Sequence, residues 1–258
     1  MIWKAAKFPS NITCNMKKPP FLAPDIETSS DNYRSRFAGE LGAYFLKVQA
    51  DTVISLLPAT NQRTLKILEI GGGHCQLVEA LLKTGHEVWV HGSSAAALTR
   101  VHQLQKNNTK LHVIESSMYA LPFENSSFDV VLNVRVIAHV NDLRAPLKEW
   151  TRLASKRIIF DYPPLESFNL LYPFLFGIKK LIEDNTRVFE TYRSSAFREI
   201  FSELGWRIAQ TKKQFFLPMV LHRALRNPGL SEKIENCCEQ IKLTSLFGSP
   251  AVVAAEPK

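Results

Sequence analysis

Lys66-Ile67-Leu68-Glu69-Ile70-Gly71-Gly72-Gly73-His74 is the stretch on which the reading of this chain turns. A short apolar run carrying one acid ends in three glycines, and a second apolar-periodic segment runs from about Gln76 to Thr84, where Gly85 stops it. The first run reads as a buried strand and the second as a helix. Glycine reaches positive φ without penalty and lets backbone approach a ligand closely. The free N–H groups at a helix start favour a negative group. In open α/β sheets ligands sit beyond the carboxyl ends of the strands. A structural turn seldom needs three glycines in succession, so this loop is read as ligand-binding.

Working outward, strand and helix alternate. Glu87–His91 reads as a strand and Ala95–Gln105 as a helix, Lys110–Glu115 and Phe128–Asn133 as strands, Leu143–Leu153 as a helix and Arg157–Asp161 as a fifth strand. Such a rhythm with short connections indicates a parallel sheet covered on both faces. Upstream, Phe37, Leu41, Tyr44, Phe45, Val48, Val53 and Leu56 recur at helical spacing, so a helix is expected from about Arg34 to Leu57, ended by Pro58. Downstream, Leu165–Ile182 looks helical and strongly apolar, Ser194–Leu204 is a helix closed by Gly205, and Trp206–Phe216 and Ser249–Ala254 are strands. The two closing strands suit an antiparallel hairpin at one sheet edge.

The chain has 258 residues, 45% hydrophobic and 22% charged. That composition supports a globular core and excludes a disordered or fibrous protein. The four cysteines, Cys14, Cys75, Cys237 and Cys238, show no CxxC spacing, so no metal site is expected and the thiols read as reduced in a cytoplasmic protein. The apolar run Leu170–Ile178 is far short of the ~20 residues that span a bilayer. Net charge is +8, with 12 Lys/Arg against 7 Asp/Glu between Lys156 and Arg226. This excess is diffuse, unlike a nucleic-acid-binding arm, and nucleic acid is not expected as a partner.

The identity of the ligand turns on spacing. A dinucleotide loop of the G-x-G-x-x-G type needs a glycine where Gln76 stands. The acid two residues before the first glycine points elsewhere. With Ala120-Leu121-Pro122-Phe123, Ser127-Phe128-Asp129-Val130-Val131, Val136-Ile137-Ala138-His139-Val140-Asn141-Asp142 and Lys148-Glu149-Trp150-Thr151-Arg152-Leu153, the segment from about 35 to 162 resembles class I methyltransferases that use S-adenosylmethionine (SAM), of the UbiE/UbiG-like (methyltransferase type 11) branch. Cys75 stands where many members have a third glycine.

The resemblance implies an α/β, Rossmann-like fold: a seven-stranded, mostly parallel sheet with an antiparallel edge hairpin and helices on both faces. Residues 1–30 are rich in Pro, Asn, Ser and Lys, so an N-terminal arm over 1–33, partly disordered or loosely docked as a lid, is expected before one methyltransferase domain over 34–258. Acceptor-side insertions are expected at about 163–192 and 217–246. SAM is implied as cofactor, held by Glu69, Gly71, Gly72 and Gly73, by Gly92, Ser93 and Ser94 after the second strand, by Ser117 and Met118 after the third, and by Asn133 and Val134 after the fourth.

Two departures stand out. The branch carries an Asp or Glu for the ribose hydroxyls where Gly92 or Ser94 stands here, and an Asp where Ser117 stands. A neutral hydroxyl bonds less strongly than a carboxylate. Modest SAM affinity, or compensation by His91, Ser93 or Ser94, is therefore expected, and a catalytically degenerate scaffold is the alternative reading. His139 is the candidate base for a hydroxyl acceptor, with packing or helix capping as the competing role. Arg135 is a candidate anion contact or structural ion pair, and Asp161 touches the acceptor or caps a helix. The apolar stretches 165–182 and 214–226, each followed by cations, are expected to wall a small apolar or amphipathic acceptor, with core or dimer packing as the competing reading. Peripheral membrane contact and a homodimer remain open at this point.

Overall fold

β1 (Lys66–Ile70) lies at the centre of a seven-stranded sheet in order β3-β2-β1-β4-β5-β7-β6. The fold is described by a computed structural model over residues 23–60, 63–140, 142–167 and 190–258. Beside β1 stand β2 (Glu87–Gly92), β3 (Leu111–Glu115), β4 (Phe128–Asn133) and β5 (Ala154–Tyr162), all parallel. β7 (Ser249–Pro257) enters between β5 and β6 (Trp206–Phe215) and is antiparallel to both. The expected edge hairpin is thus present, with its second strand on the inside. Strand order reverses at β1/β4, which opens a crevice at the carboxyl ends of these strands.

Alternating side chains along β1 feed two cores. Leu68 and Ile70 face one layer, with Trp150 and Leu153 of α6 (Arg144–Leu153) and Phe197 and Phe201 of α7 (Ser194–Glu203). Ile67 faces the other, with Val53 of α3 (Gly39–Ser55), Leu81 of α4 (Val78–Lys83) and Leu98 of α5 (Ala95–Gln105). Glu69 shares the face of Ile67, so a carboxyl group enters an apolar layer.

The helix expected from Arg34 to Leu57 is broken. α1 (Pro24–Thr28) and α2 (Asp31–Ser35) precede it, and α3 begins only at Gly39, which has φ +73°. The chain folds back between them: a Cβ on Gly42 would lie 2.2 Å from the Phe37 carbonyl. Ser30 Oγ caps α2 by accepting from Tyr33 N–H at 3.1 Å. The strand read as Arg157–Asp161 starts earlier, at Ala154, directly after α6, and its pairing with β4 shifts register between Phe128 and Val130.

The region after β6 holds α8 (Met219–Leu225), α9 (Pro228–Gln240) and α10 (Leu243–Phe247). Glu235 of α9 organises it, accepting from Phe216 N–H at 2.7 Å and Leu217 N–H at 2.9 Å and pairing with His222 Nε2 at 2.9 Å. Phe215 meets Tyr44, Phe45 and His222 edge-on, with centroids 5.4 to 5.9 Å apart. Within the stretch 214–226, then, Phe215 and His222 pack as core against α3. Most of the other expected acceptor wall, from 168 onward, lies outside the described residues, as does the arm before 23. Among the described residues no helix is long and apolar enough to cross a membrane.

Candidate functional site

The three glycines each answer a different close approach. Gly71 sits at φ +73°, and a Cβ there would lie 2.8 Å from Val136 Cγ2. A Cβ on Gly72 would meet the Glu69 carboxyl carbon at 2.6 Å, and one on Gly73 would come within 2.1 Å of the Ala97 carbonyl oxygen of α5. The loop therefore packs tightly on β1 and α5. Cys75 closes the 3-10 turn Gly72–His74 at φ +59°, the left-handed region that favours the glycine usual in related loops. Burial pushes its thiol up to about 12, so it is unreactive.

Beneath the loop, Glu69 is 0% exposed, and neither carboxyl oxygen has a hydrogen-bond partner among the described residues. Its neighbour His74 has Nε2 4.0 Å away, but burial drives that imidazole down to about 3, so it offers no positive charge. Burial alone pushes the Glu69 carboxyl up to about 8. Next to it, Asn133 donates through Nδ2 to Ile70 O at 2.9 Å, tying the ends of β4 and β1 together. Its Oδ1 is buried without a partner among the described residues, and Val134 is buried beside it.

At the end of β2, His91 is a tie between elements. Its Nδ1 accepts from Gly71 N–H at 3.4 Å and its Nε2 donates to Ser116 O at 2.9 Å. Burial lowers its basicity, consistent with a neutral ring. Gly92 cannot readily be anything larger, since a Cβ would lie 2.6 Å from Leu98 Cγ. Ser94 caps α5, its Oγ accepting from Ala97 N–H at 3.3 Å. Ser93 N–H donates to Asp25 Oδ2 of α1 at 2.7 Å. Of the three residues expected to compensate for the missing acid, His91 and Ser94 are thus engaged within the protein. Asp25 stands at this strand end, a placement that local sequence reasoning missed.

Beyond β3, Ser117 is exposed and accepts through Oγ from Tyr119 N–H at 3.3 Å, while Met118 is buried in the core. After β4, Arg135 takes φ +63°, and its N–H donates to Asp161 Oδ1 at 2.6 Å. Its Nε donates to Gln49 Oε1 at 3.0 Å, and its guanidinium carbon stands 4.0 Å from the Phe37 ring centroid. The cation is held by partners within the protein, on α3 and the turn before it. Asp161 is buried, and desolvation raises its carboxyl to about 6. His139 ends the 3-10 turn Ile137–His139, half-buried, and Ala138 O in that turn accepts from Glu190 N–H at 3.0 Å. Glu69, Gly71–Gly73, Gly92–Ser94 and Asn133 therefore meet at the carboxyl ends of β1, β2 and β4, with Ser117 at the end of β3. Arg135 and His139 stand on the β5 side.

Residues 68–158 match the family model described as "Methyltransferase domain" (Methyltransf_11). The ubiquinone biosynthesis O-methyltransferase of Bartonella tribocorum is 35% identical over 94 residues, which are 35% of this chain and 36% of that protein, so the match spans about a third of the curated relative. Magnesium protoporphyrin IX methyltransferase from Synechocystis PCC 6803, solved with bound SAH, has a TM-score of 0.62 at 17% identity and covers 88% of this chain and 94% of its own. Geranyl diphosphate C-methyltransferase from Streptomyces coelicolor A3(2), solved with Mg2+, geranyl diphosphate and S-adenosyl-L-homocysteine, has a TM-score of 0.57 at 13% identity, covering 82% and 80%. At these identities the structures speak for the fold, and the matched segment holds the glycine loop, the end of β2 and the turn after β4. The chain has the fold of these SAH-binding methyltransferases, and its residues 68–158 match the methyltransferase domain family.

Proposed function

We propose that this protein transfers a methyl group from SAM to an oxygen of a small, apolar or amphipathic acceptor. The observation that carries the reading is Glu69, a buried carboxyl without a hydrogen-bond partner among the described residues, set under a three-glycine loop at the point where strand order reverses. Buried polar groups in native proteins are almost always paired. A cation arriving above the loop would satisfy this one, and the α-ammonium of SAM is such a cation. The same crevice holds further buried polar atoms without partners among the described residues, including Asn133 Oδ1, Ser93 Oγ and Ser29 Oγ, which suits a ligand rich in polar groups.

On this reading Glu69 meets the ammonium group and the Gly71–Gly73 backbone lies along the amino-acid portion. Ser117 and Met118 stand toward the adenine, and Asn133 and Val134 toward the sulfonium. SAM supplies an electrophilic methyl group when bound. The protein's part is to hold the acceptor in line and to take the proton its hydroxyl gives up. His139, on the turn after β4, is the group assigned to that proton. Asp161, with its carboxyl raised to about 6, holds the backbone of Arg135 and so fixes the start of that turn. Oxygen as the acceptor atom is supported by the name of the Bartonella relative, and an apolar or amphipathic acceptor by the sequence of the acceptor-side stretches.

The test offers methyl-labelled SAM with phenols and catechols bearing alkyl chains. Label in an alkali-stable ether, lost in His139→Ala while SAM affinity is kept, supports the assignment. Tight SAM binding with no transfer to any oxygen acceptor favours a binding scaffold instead.

A further inference from the structure

β2 ends at Gly92 with no acid, and Leu98 of α5 fills the space into which a side chain there would grow. A carboxylate nevertheless stands at that strand end. Asp25, 68 positions earlier in the chain, reaches it from α1 and accepts from Ser93 N–H at 2.7 Å through Oδ2. Its other oxygen, Oδ1, is buried without a partner among the described residues, and the residue is 1% exposed.

We propose that Asp25 supplies the carboxylate that recognises the ribose hydroxyls of SAM, in place of the side chain that β2 does not offer. The inference rests on the reading of SAM as the ligand and adds a residue to it. One oxygen is fixed by a backbone amide, so the carboxylate is oriented before ligand arrives. The second oxygen has acceptor capacity to spare, and a vicinal diol brings two donors to it. Such a bond, with a charged acceptor, is among the stronger hydrogen bonds of a binding site.

The placement of Asp25 does not depend on that one contact. α1 packs on the turn Gly72–His74 and on α5. Ser29 follows Asp25 by four residues, the spacing of one helix face, and a Cβ on Gly73 would lie 2.6 Å from its Oγ. Asp31 in α2 pairs with Arg100 of α5, pinning the segment from its other end. α1 is therefore held against the glycine loop and α2 is tied to α5, and the acid is built into the crevice by the segment that covers it.

The test is a calorimetric titration of wild type and Asp25→Asn with SAH and with SAH lacking the ribose 2′- and 3′-hydroxyls, alongside a thermal melt of each protein. Asn keeps the shape of the side chain and its amide oxygen can still face Ser93 N–H, so the fold should be retained. Expected are a roughly tenfold to hundredfold loss of SAH affinity in Asp25→Asn, a comparable loss when wild type meets the analogue, and no further loss when the variant meets it. An unchanged SAH affinity in a folded variant overturns the inference and leaves Asp25 as a brace for the arm. Tighter binding by the variant also overturns it, because the helix would then act by shielding the crevice. Should wild type bind neither SAM nor SAH, the reading of the site itself fails, and this inference with it.

Discussion

Two buried glutamates, one on the central strand β1 and one on α9 beyond the edge strand β6, are treated in opposite ways. Glu235, 5% exposed, accepts two backbone N–H groups and pairs with His222. Glu69, 0% exposed, has no hydrogen-bond partner among the described residues. An ionised carboxylate taken out of water without partners is costly, and its carboxyl shifts toward the neutral form. A carboxyl with a full set of donors is a structural rivet. On the proposed reading, one without a donor among the described residues, beside a glycine loop, is kept for something that arrives. The first knits α8 and α9 to β6, and the second sits where the strand order reverses.

The largest expected effect breaks the rivet. Glu235→Ala leaves Phe216 N–H, Leu217 N–H and His222 without their acceptor, at ~1–3 kcal/mol for each unsatisfied buried group. We expect a loss of roughly 3–5 kcal/mol, a fall in Tm of about 10 °C, and unchanged SAM affinity per folded molecule. Calorimetric melting and titration of the same sample check both halves.

Glu69→Gln should do the reverse. SAM affinity falls by roughly 1.5–3 kcal/mol, the range for a hydrogen bond to a charged group, while the unliganded fold loses nothing. The folded carboxyl is raised from 4.5 to about 8. Its share of stability is therefore complete below 4.5 and is lost as pH rises through about 8. Wild type and variant should melt alike below pH 4.5, and wild type should fall progressively behind between 4.5 and about 8, with a constant gap above. Parallel melting curves across that window would place a partner on Glu69.

A smaller effect sharpens the comparison at the end of β2. Gly92→Asp places an acid where the resemblance implies one, yet its Cβ would press on Leu98 at 2.6 Å. Overpacking of about 1–3 kcal/mol is expected, with no gain in SAM affinity. A tenfold gain would show that Leu98 yields and that the carboxylate works from β2 after all.

What could be read in the sequence follows the same division. The strand-acid-glycine run, the alternation through Tyr162 and the two closing strands are local patterns, and each element stands close to its expected place. The placement of Gly71–Gly73, Glu69 and Asn133 at the strand ends was legible for that reason. Asp25 was not, because one acid in a Pro- and Ser-rich arm carries no local signal and its partner Ser93 is distant in the chain. The break between α2 and α3 escaped the helical spacing of Phe37 and Leu41, since Gly39 at φ +73° turns the chain back so that Phe37 lies over Gly42. α8 to α10 were missed because what orders them is the long-range Glu235 clamp.

The central claim, that Glu69 awaits the cation of SAM, predicts proton release. In the free protein at pH 7, below about 8, the carboxyl is mostly protonated, and pairing with the ammonium group requires it to ionise. The measurement is SAM titration at pH 7 in two buffers of different ionisation enthalpy, on wild type and Glu69→Gln. The account predicts release approaching one proton per SAM bound in wild type and none in the variant. SAM binding to wild type with no proton released, or an equal exchange in both proteins, would contradict it.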